Sequence, residues 1–576
     1  MRLAIVAAYA AAIASCWIIF YRLFSGSFYA FALIGDENYY AMHVQPLLAG
    51  CTKTNQWNGL CDPRYVSPWF LEDLFRTLIS LSGLDTISFV WLWHFIFPCL
   101  LLGAVFLLAR TCLRAPFLAV SGDTAVSGDT AVSGDTVSGD TIPIAAQSGH
   151  VPRNSPNLPA AAAALSFTLL YLLYDLLVSY PPLQGWLHRF PTNIEFLLSV
   201  LLAERFVSFL SAPTSGRGAA LALASAALVY LRPYTAIPWS MTIVAGMLWL
   251  TTTRRCTLKV ALVTFSVLLL ALAPWLALLS WNSALPVHAQ ALARTFQHIS
   301  YEINPRWALY LGLSAVFAGL AFLPPRSHRI LLWAAALSMF VMPFSAGLFV
   351  FAFELQAFER FAAFFLTILI CAGLLWLGGH SAFWNDAKCR LACSALVAGA
   401  FLAAAGLGLR NGTYDLQKYP GSPLPSLGEE LKYLTAYQWI DGHTPPGAIF
   451  IFDYGTDWSS GEIPADEHAR LNLLNQGDLF QLVAKRRRIL AERIVCAAVS
   501  DQDLYALTIV QRGAFGYPVG NEYREALKHL VKLSFQPNYI FIRRETPLTL
   551  GLLPKLKTIS TPVYGDSVCA VWKINY

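Results

Sequence analysis

Along the first 410 residues, apolar runs of about 20 residues alternate with short clusters of charged residues, proline or glycine. At 1.5 Å of rise per residue, a helix of that length crosses a hydrocarbon layer about 30 Å thick. The runs predict spans near 3–22, 86–109, 160–180, 193–211, 218–232, 236–252, 259–281, 306–323, 330–351, 359–378 and 390–409, about eleven in all. The fifth and sixth are the least separated, because LRPYTAIPW interrupts one long apolar stretch at a proline-bounded turn. The first run follows a basic Arg2, as in a secretory signal. It lacks a small-x-small site before a polar start, so an uncleaved span is expected.

Two stretches break this rhythm. From 119 to 158 the chain repeats SGDTAV, SGDTAV, SGDTV and SGDT, then continues rich in Pro, Asn and Ser. Without an apolar face it cannot offset the entropy of ordering, which predicts a disordered linker. Its Asp123, Asp129, Asp135 and Asp140 are too closely spaced, with the wrong glycine pattern, for a calcium repeat. Residues 411–576 lose the 20-residue runs and predict a small α/β domain. GEELKYLTAYQWI and NEYREALKHLVKL read as helices, and TPPGAIFIF, PNYIFIRRE and SVCAVWKI as strands. The fold class is therefore a polytopic α-helical membrane protein (1–410) carrying a C-terminal α/β domain.

Composition agrees. The 576 residues are 56% hydrophobic and 13% charged, with mean hydropathy +0.52, against about 25% charged in ordinary soluble domains. The net charge of +6 is small for this length, and the cations sit at span ends, which excludes a nucleic-acid partner. Arg110 and Arg114, Arg205 and Arg217, Arg254, Arg255 and Lys259, Arg326 and Arg329, and Lys388 and Arg390 occupy alternate loops. The positive-inside rule makes those loops and the N-terminus cytoplasmic. The first outer loop (23–85) and the 411–576 domain then lie on the extracytoplasmic side, and the 119–158 linker is cytoplasmic. Eleven cysteines show no CxxC pair or zinc spacing; Cys16, Cys99 and Cys371 fall in apolar spans as small hydrophobes. The sequon at Asn411 matters only in a eukaryotic secretory host.

Chemistry-bearing residues concentrate toward the outer side. The first outer loop opens IGDENYYAMHVQPLLAG, setting Asp36 and Glu37 at the membrane surface beside Tyr39, Tyr40 and His43. A carboxylate there can act as general base on an acceptor hydroxyl or amine, and the pair could hold Mg or Mn. A hydrated helix-capping loop is the plain alternative. Asp175, Arg189, Glu195, Arg232, Glu354, Glu359 and Arg360 fall toward the same face, while Glu204, beside Arg205, falls near the inner one. Charges bordering spans are costly and usually functional, so a common depth points to one outward-opening polar cavity.

GDENYY after the first span, a long outer loop and the segment PWFLEDLFRTLISLSGL resemble the GT-C superfamily of membrane glycosyltransferases. The pattern is similar to that of protein O-mannosyltransferases and lipid A aminoarabinose transferases. The layout is shared over about 410 residues, and motif identity is sharp only at Asp36 to Tyr40. The resemblance implies a catalytic Asp36, a supporting Glu37, amphipathic helices along the membrane, and a polyprenyl-phosphate sugar donor. A lipid, glycan or protein would be the acceptor, in the cell envelope at a bacterial inner or plasma membrane. The SGDT insertion departs from those enzymes.

Each remaining candidate carries two readings. Arg189 and Glu195 could pair at a helix start or contact substrate. Arg232, before Pro233, could snorkel to headgroups or grip a lipid phosphate. Glu359 and Arg360 could anchor a span end; ERF at this place resembles GT-C chains and favours phosphate binding for Arg360. Cys51 and Cys61, ten residues apart in the polar outer loop, are expected as a disulfide on an oxidising side, with two thiols as the alternative. Cys496 and Cys569 could pair likewise. His43, His188 and His298 lack metal-ligand spacing. Trp57 is a candidate for stacking on a sugar, whereas Trp69, Trp91, Trp93, Trp186 and Trp239 read mostly as an interfacial belt. The rival functions are a transporter or flippase, which predicts internal repeats and midplane polar residues, and a non-catalytic assembly protein.

Overall fold

The computed structural model describes residues 44, 48, 70–114, 160–168, 190–283, 305–323, 328–344, 357–379, 432–452, 480–489, 525–526, 528–529, 537–543, 557 and 560–575. Among these the protein is mostly helical. The helices up to residue 379 are α1 (Phe70–Ser82), α2 (Thr86–Arg114), α3 (Phe190–Ser211), α4 (Ser215–Leu231), α5 (Pro233–Thr252), α6 (Leu258–Ser283), α7 (Pro305–Ala321), α8 (Arg329–Phe344) and α9 (Ala357–Gly379). All but α1 coincide with sequence-predicted runs, and 160–168 is also helical. The runs at 3–22 and 390–409, most of 160–180, the first outer loop's motif residues and the SGDT linker lie outside the described residues.

Two of these helices are long and apolar enough to cross a membrane, over Ile96–Arg114 and Leu258–Leu278. The two differ in surroundings. Only 11% of the Leu258–Leu278 stretch is buried, against 44% of the first. Leu258, Leu262, Phe265, Leu269, Leu270 and Leu276 are all exposed on α6. A contiguous apolar surface of this kind is not stable against water and needs lipid or another protein over it.

Helix α3 is the centre of the packing. Phe196, Val200, Leu202, Ala203, Phe206, Val207 and Phe209 are all buried, because α2, α4, α5 and α9 all pack on it. Two glycines set the close crossings. A Cβ at Gly218 of α4 would run into Thr264 Oγ1 of α6, and one at Gly246 of α5 would lie 2.6 Å from Phe206 Cζ of α3. Small residues of this kind let helix backbones approach where side-chain packing drives association.

The same contacts fix the path of the chain. Gly218, early in α4, touches Phe209, and Gly246, late in α5, touches Phe206. Arg232, between the two helices, meets Glu195 near the start of α3. So α4 climbs along α3 and α5 returns, with Arg232 at the apex of a hairpin whose turn is one residue long. Non-helical backbone at Arg232 (φ −153°, ψ 84°) breaks the helix there, and Pro233 starts the next one at the position where a missing N–H costs nothing. At the other end α5 closes with Arg254 at φ 56°, while Arg255 N–H and Cys256 N–H both donate to Leu250 O.

Helix α1 is amphipathic as its sequence implies. Leu71, Phe75 and Ile79, spaced four apart, are buried, while Arg76, Thr77 and Ser80 are partly or fully exposed. Its apolar face lies against α2 through Phe75 and Phe89 (centroids 5.4 Å apart) and against the top of α4 through Phe70 and Tyr230 (5.0 Å). Gly83, at φ 68°, ends it.

Beyond residue 430 the described elements are α10 (Leu434–His443), β1 (Ile449–Phe452), a π-helical turn (Phe480–Ala484), β2 (Arg487–Ile489), β3 (Tyr539–Arg543), β4 (Ser560–Gly565) and β5 (Cys569–Ile574). They form a five-stranded mixed sheet in the order β2-β1-β3-β5-β4, with β1 parallel to β2 and β3, and β5 antiparallel to β3 and β4. Tyr433 and Tyr437 pack on Phe541, with Tyr437 also against Phe480. Buried Arg486 fastens α10 to the segment before β2, donating to Thr444 Oγ1 (3.0 Å), Thr444 O (2.6 Å) and Asp441 O (2.9 Å). Burial lowers its pKa and the Asp441 carboxylate partly offsets this.

The sequence-predicted strands at TPPGAIFIF, PNYIFIRRE and SVCAVWKI correspond to β1, β3 and β5, and residues 525–526 and 528–529 of NEYREALKHLVKL are helical. The strands β2 and β4 were not foreseen. Cys569 is buried with its Sγ 3.7 Å from Asp566 Oδ2; Cys496 lies outside the described residues.

Candidate functional site

Two of the sequence-predicted site residues are brought together. Glu195, on the first turns of α3, forms an ion pair with Arg232, its Oε1 2.7 Å from Arg232 Nε, with side chains 4% and 15% exposed. The hairpin explains the meeting. Residues 195 and 232 are 37 apart in sequence, but descending α3 and ascending α4 place them at one level. The expected alternatives are thereby narrowed. Glu195 pairs with Arg232 across helices, and Arg232 points into the bundle instead of out to headgroups. Arg189 lies outside the described residues.

Polar groups gather around this pair. Two residues before Glu195, Asn193 accepts the indole N–H of Trp93 from α2 (3.1 Å), both side chains buried. Ser199, one turn further along α3, and Thr235, one turn into α5, are also buried. Next along α5 is Trp239, fully buried and edge-on to Phe364 of α9 at 5.2 Å. Arg360 and Glu359 belong to α9 one turn before Phe364, about 6 Å along the axis. Their helical positions therefore stand at the level of Thr235 and the α4–α5 apex; their side chains lie outside the described residues.

Trp93 and Trp239 correct the interfacial-belt expectation. Both are interior residues, Trp93 held by a hydrogen bond and Trp239 by aromatic packing. The signal that could have found Asn193 and Trp93 was present: an Asn two residues before a Glu in an apolar run, and a Trp in mid-helix with no flanking charge.

A second buried charge lies toward the opposite end. Glu204 Oε1 accepts the Thr111 hydroxyl of α2 (2.9 Å), and its Oε2 is 3.1 Å from Arg205 Nε. Next to Thr111, Cys112 meets Cys371 of α9 with 3.9 Å between sulfurs. Arg110, Arg114, Arg205, Arg217, Arg254, Arg255 and Lys259 all stand at or near helix termini of this end, and Arg217 Nη1 caps α3 by donating to Ser208 O (2.8 Å). The bundle thus has a basic end, with Glu204 inside it, and an end bearing Glu195 and Arg232.

Asp36, Glu37, Tyr39, Tyr40, His43, Cys51, Trp57, Cys61 and Asp175 lie outside the described residues. Among the described residues no group of three or more His, Cys, Asp or Glu side chains is arranged to hold a metal ion. No protein-family profile matches the chain, and no curated protein matches it.

Proposed function

We propose that this chain is an integral membrane glycosyltransferase that moves a sugar from a polyprenyl-phosphate donor to an acceptor at the extracytoplasmic face. The observation that carries the reading is the Glu195–Arg232 pair, buried at the α4–α5 apex, at the end of the bundle opposite the basic loops. A desolvated guanidinium at that depth suits a lipid phosphate, which it can take by two parallel hydrogen bonds. Helical positions 359 and 360 at the same level supply a second cation from α9. The exposed apolar surface of α6 and the basic loops support about eleven spans in a GT-C-like arrangement, with N-terminus inside and residues 411–576 outside.

In the reaction, Arg232 and Arg360 hold the donor phosphate and stabilise the charge that grows on it as it leaves. Asp36, supported by Glu37, removes the acceptor proton, and the acceptor attacks the anomeric carbon from the opposite face, inverting it. Tyr39, Tyr40, His43, Trp57, Asp175 and Arg189 complete the cavity wall. The chemistry needs no nucleotide. A divalent ion at Asp36 and Glu37 would add electrophilic help.

The test uses protein in lipid nanodiscs and a panel of polyprenyl-phosphoryl hexoses and pentoses, reading release of polyprenyl monophosphate. The wild type releases it from at least one donor. Asp36→Asn reduces release by about 10²-fold or more while elution and thermal unfolding stay unchanged. Release unaffected by Asp36→Asn overturns the reading.

Glu204 favours a second reading, a transporter or flippase, because a second buried carboxylate away from the Glu195–Arg232 end suits a polar path through the bundle. Movement of a fluorescent polyprenyl phosphate between leaflets, dependent on both Glu195 and Glu204, would favour it over transfer.

A further inference from the structure

Helix α2 has two contrasting faces. Leu101, Leu108 and Cys112 are fully buried where α3 and α9 pack on it. On the other side Ile96, Leu100, Gly103, Leu107, Arg110 and Arg114 follow one another at spacings of four and three residues, so they fall on one line along the helix. Ile96, Leu100 and Leu107 are exposed. A Cβ at Gly103 would meet nothing within 4 Å, which leaves a notch between Leu100 and Leu107. From Ile96 to Leu107 the line runs about 16 Å, close to half of a hydrocarbon core about 30 Å thick. Its last two members are arginines, Arg110 partly exposed and Arg114 exposed. Cations at a span end often answer to topology alone, and others at this end of the bundle are already engaged. Arg205 meets Glu204, Arg217 donates to Ser208 O, and Arg255 lies over Trp249, its Cζ 5.4 Å from the ring centroid.

Arg110 and Arg114 differ from these. Among the described residues neither has a carboxylate partner, and Glu204, which reaches Thr111 beside them, is already held by that hydroxyl and by Arg205. Arg110 Nε is shielded from solvent without an acceptor. The guanidinium is therefore unsatisfied as it stands, and it gains by turning onto an anion seated on the line. We propose that this face of α2 binds an anionic glycerophospholipid, with the phosphate between Arg110 and Arg114 and one acyl chain laid along Ile96 to Leu107 over the Gly103 notch. Positions four apart on a helix stand together, so both arginines serve one headgroup. A zwitterionic lipid brings its own cation into the same space and loses the advantage. Helix α6 offers the comparison: its broad exposed face has Lys259 beside it but contains no glycine to form a notch. The inference needs α2 to stand in a bilayer, as the functional reading has it, and is independent of sugar transfer.

The experiment titrates the full-length protein in uncharged detergent with phosphatidylglycerol and with phosphatidylcholine, counting bound lipids by native mass spectrometry. The wild type binds phosphatidylglycerol more tightly, by about fivefold for each arginine engaged. Arg110→Gln/Arg114→Gln brings that affinity down to the phosphatidylcholine level, and Arg254→Gln/Lys259→Gln leaves it unchanged. Gly103→Phe weakens it severalfold with the unfolding temperature unaltered, since no neighbour stands within 4 Å of its Cβ. Equal affinity for the two lipids overturns the inference, as does a loss shared equally by the two double variants, which is what a diffuse cationic belt would give. Displacement of the lipid by inorganic phosphate, or wild-type binding by Gly103→Phe, overturns it by taking the chain off the line. Undecaprenyl monophosphate displacing phosphatidylglycerol at lower concentration overturns it too, and would assign the face to the sugar donor. A protein that stays in solution without detergent and binds neither lipid sinks the membrane reading as well, while the other outcomes leave the Asp36→Asn test untouched.

Discussion

A guanidinium and a carboxylate buried together stabilise a fold poorly, because desolvating both consumes most of what their attraction returns. Glu195 and Arg232 therefore call for a reason beyond stability, and their chemistry predicts how they respond to change. Arg232→Met alone removes the buried counter-charge seen at 2.7 Å from Glu195 and costs about 3–5 kcal/mol. The double variant Glu195→Leu/Arg232→Met restores thermal stability in detergent to near the wild type and leaves the protein inactive. Equal destabilisation by single and double variants would show instead that the pair is structural. Tyr564 and Asp566, in the β4–β5 turn, act on stability through pH. Burial raises the Asp566 pKa, but N–H bonds from Cys569 and Val568 and the Tyr564 hydroxyl outweigh it and hold the carboxyl below its ordinary value. Burial and the same carboxylate push Tyr564 up to about 12. The Tyr564 contribution is thus complete below about pH 10, its ordinary ionisation, and is lost as pH rises through the folded value. The Asp566 contribution is complete above about pH 4 and is lost as pH falls through its depressed value. Tyrosinate absorbance of wild type minus Tyr564→Phe, titrated to alkaline pH, shows one group ionising near 12; a step near 10 contradicts the turn geometry.

Helix pairs are held at this scale by what is missing from them. Gly246 lets α5 lie against Phe206, and Gly246→Leu inserts four carbons where one would already be too close. That substitution destabilises by about 1–3 kcal/mol or more through overpacking, read as a lower unfolding temperature, and Phe206→Ala in the same chain recovers part of it. Recovery is the discriminating outcome, since a general loss of helix packing would make the two changes additive. Much of this level was legible beforehand. Runs of 20 apolar residues marked α2 to α9 within a few residues, because length and hydropathy are local properties. The α4–α5 hairpin was visible as Arg232-Pro233. What stayed hidden needed two segments at once: that Glu195 meets Arg232, that Trp93 bonds Asn193 inside the bundle, and that Glu204 bonds Thr111 of α2. The strands β2 and β4 were missed for another reason. Arg487–Ile489 is three residues, two of them charged, and Ser560–Gly565 contains Pro562 and ends at glycine. Such segments become strands by pairing with β1 and β5, and their own composition argues against it.

Over the whole molecule the distribution of charge is the organising fact. Seven cations from five helix termini mark one end of the bundle, Glu195 and Arg232 lie inside the other, and α6 exposes leucines between. A bilayer accommodates all three features together. In the proposed reading the basic end faces the cytoplasm by the retention of Lys and Arg loops, the leucines face acyl chains, and the Glu195–Arg232 end opens outward. The arrangement predicts the side of every loop. Alkaline phosphatase fused in the 253–257 turn between α5 and α6 should be inactive and a fluorescent protein there bright. Fused after Tyr576, the phosphatase should be active and the fluorescent protein dark. Reversing the charge of Arg254, Arg255 and Lys259 together weakens this polarity and gives a mixed population in the same assay. The opposite pattern from the two wild-type fusions would put Arg232 and Glu195 on the cytoplasmic side, where a transferase would have to draw on donors of the inner leaflet. The carboxylate-and-arginine site would then need a different substrate, whatever its local geometry.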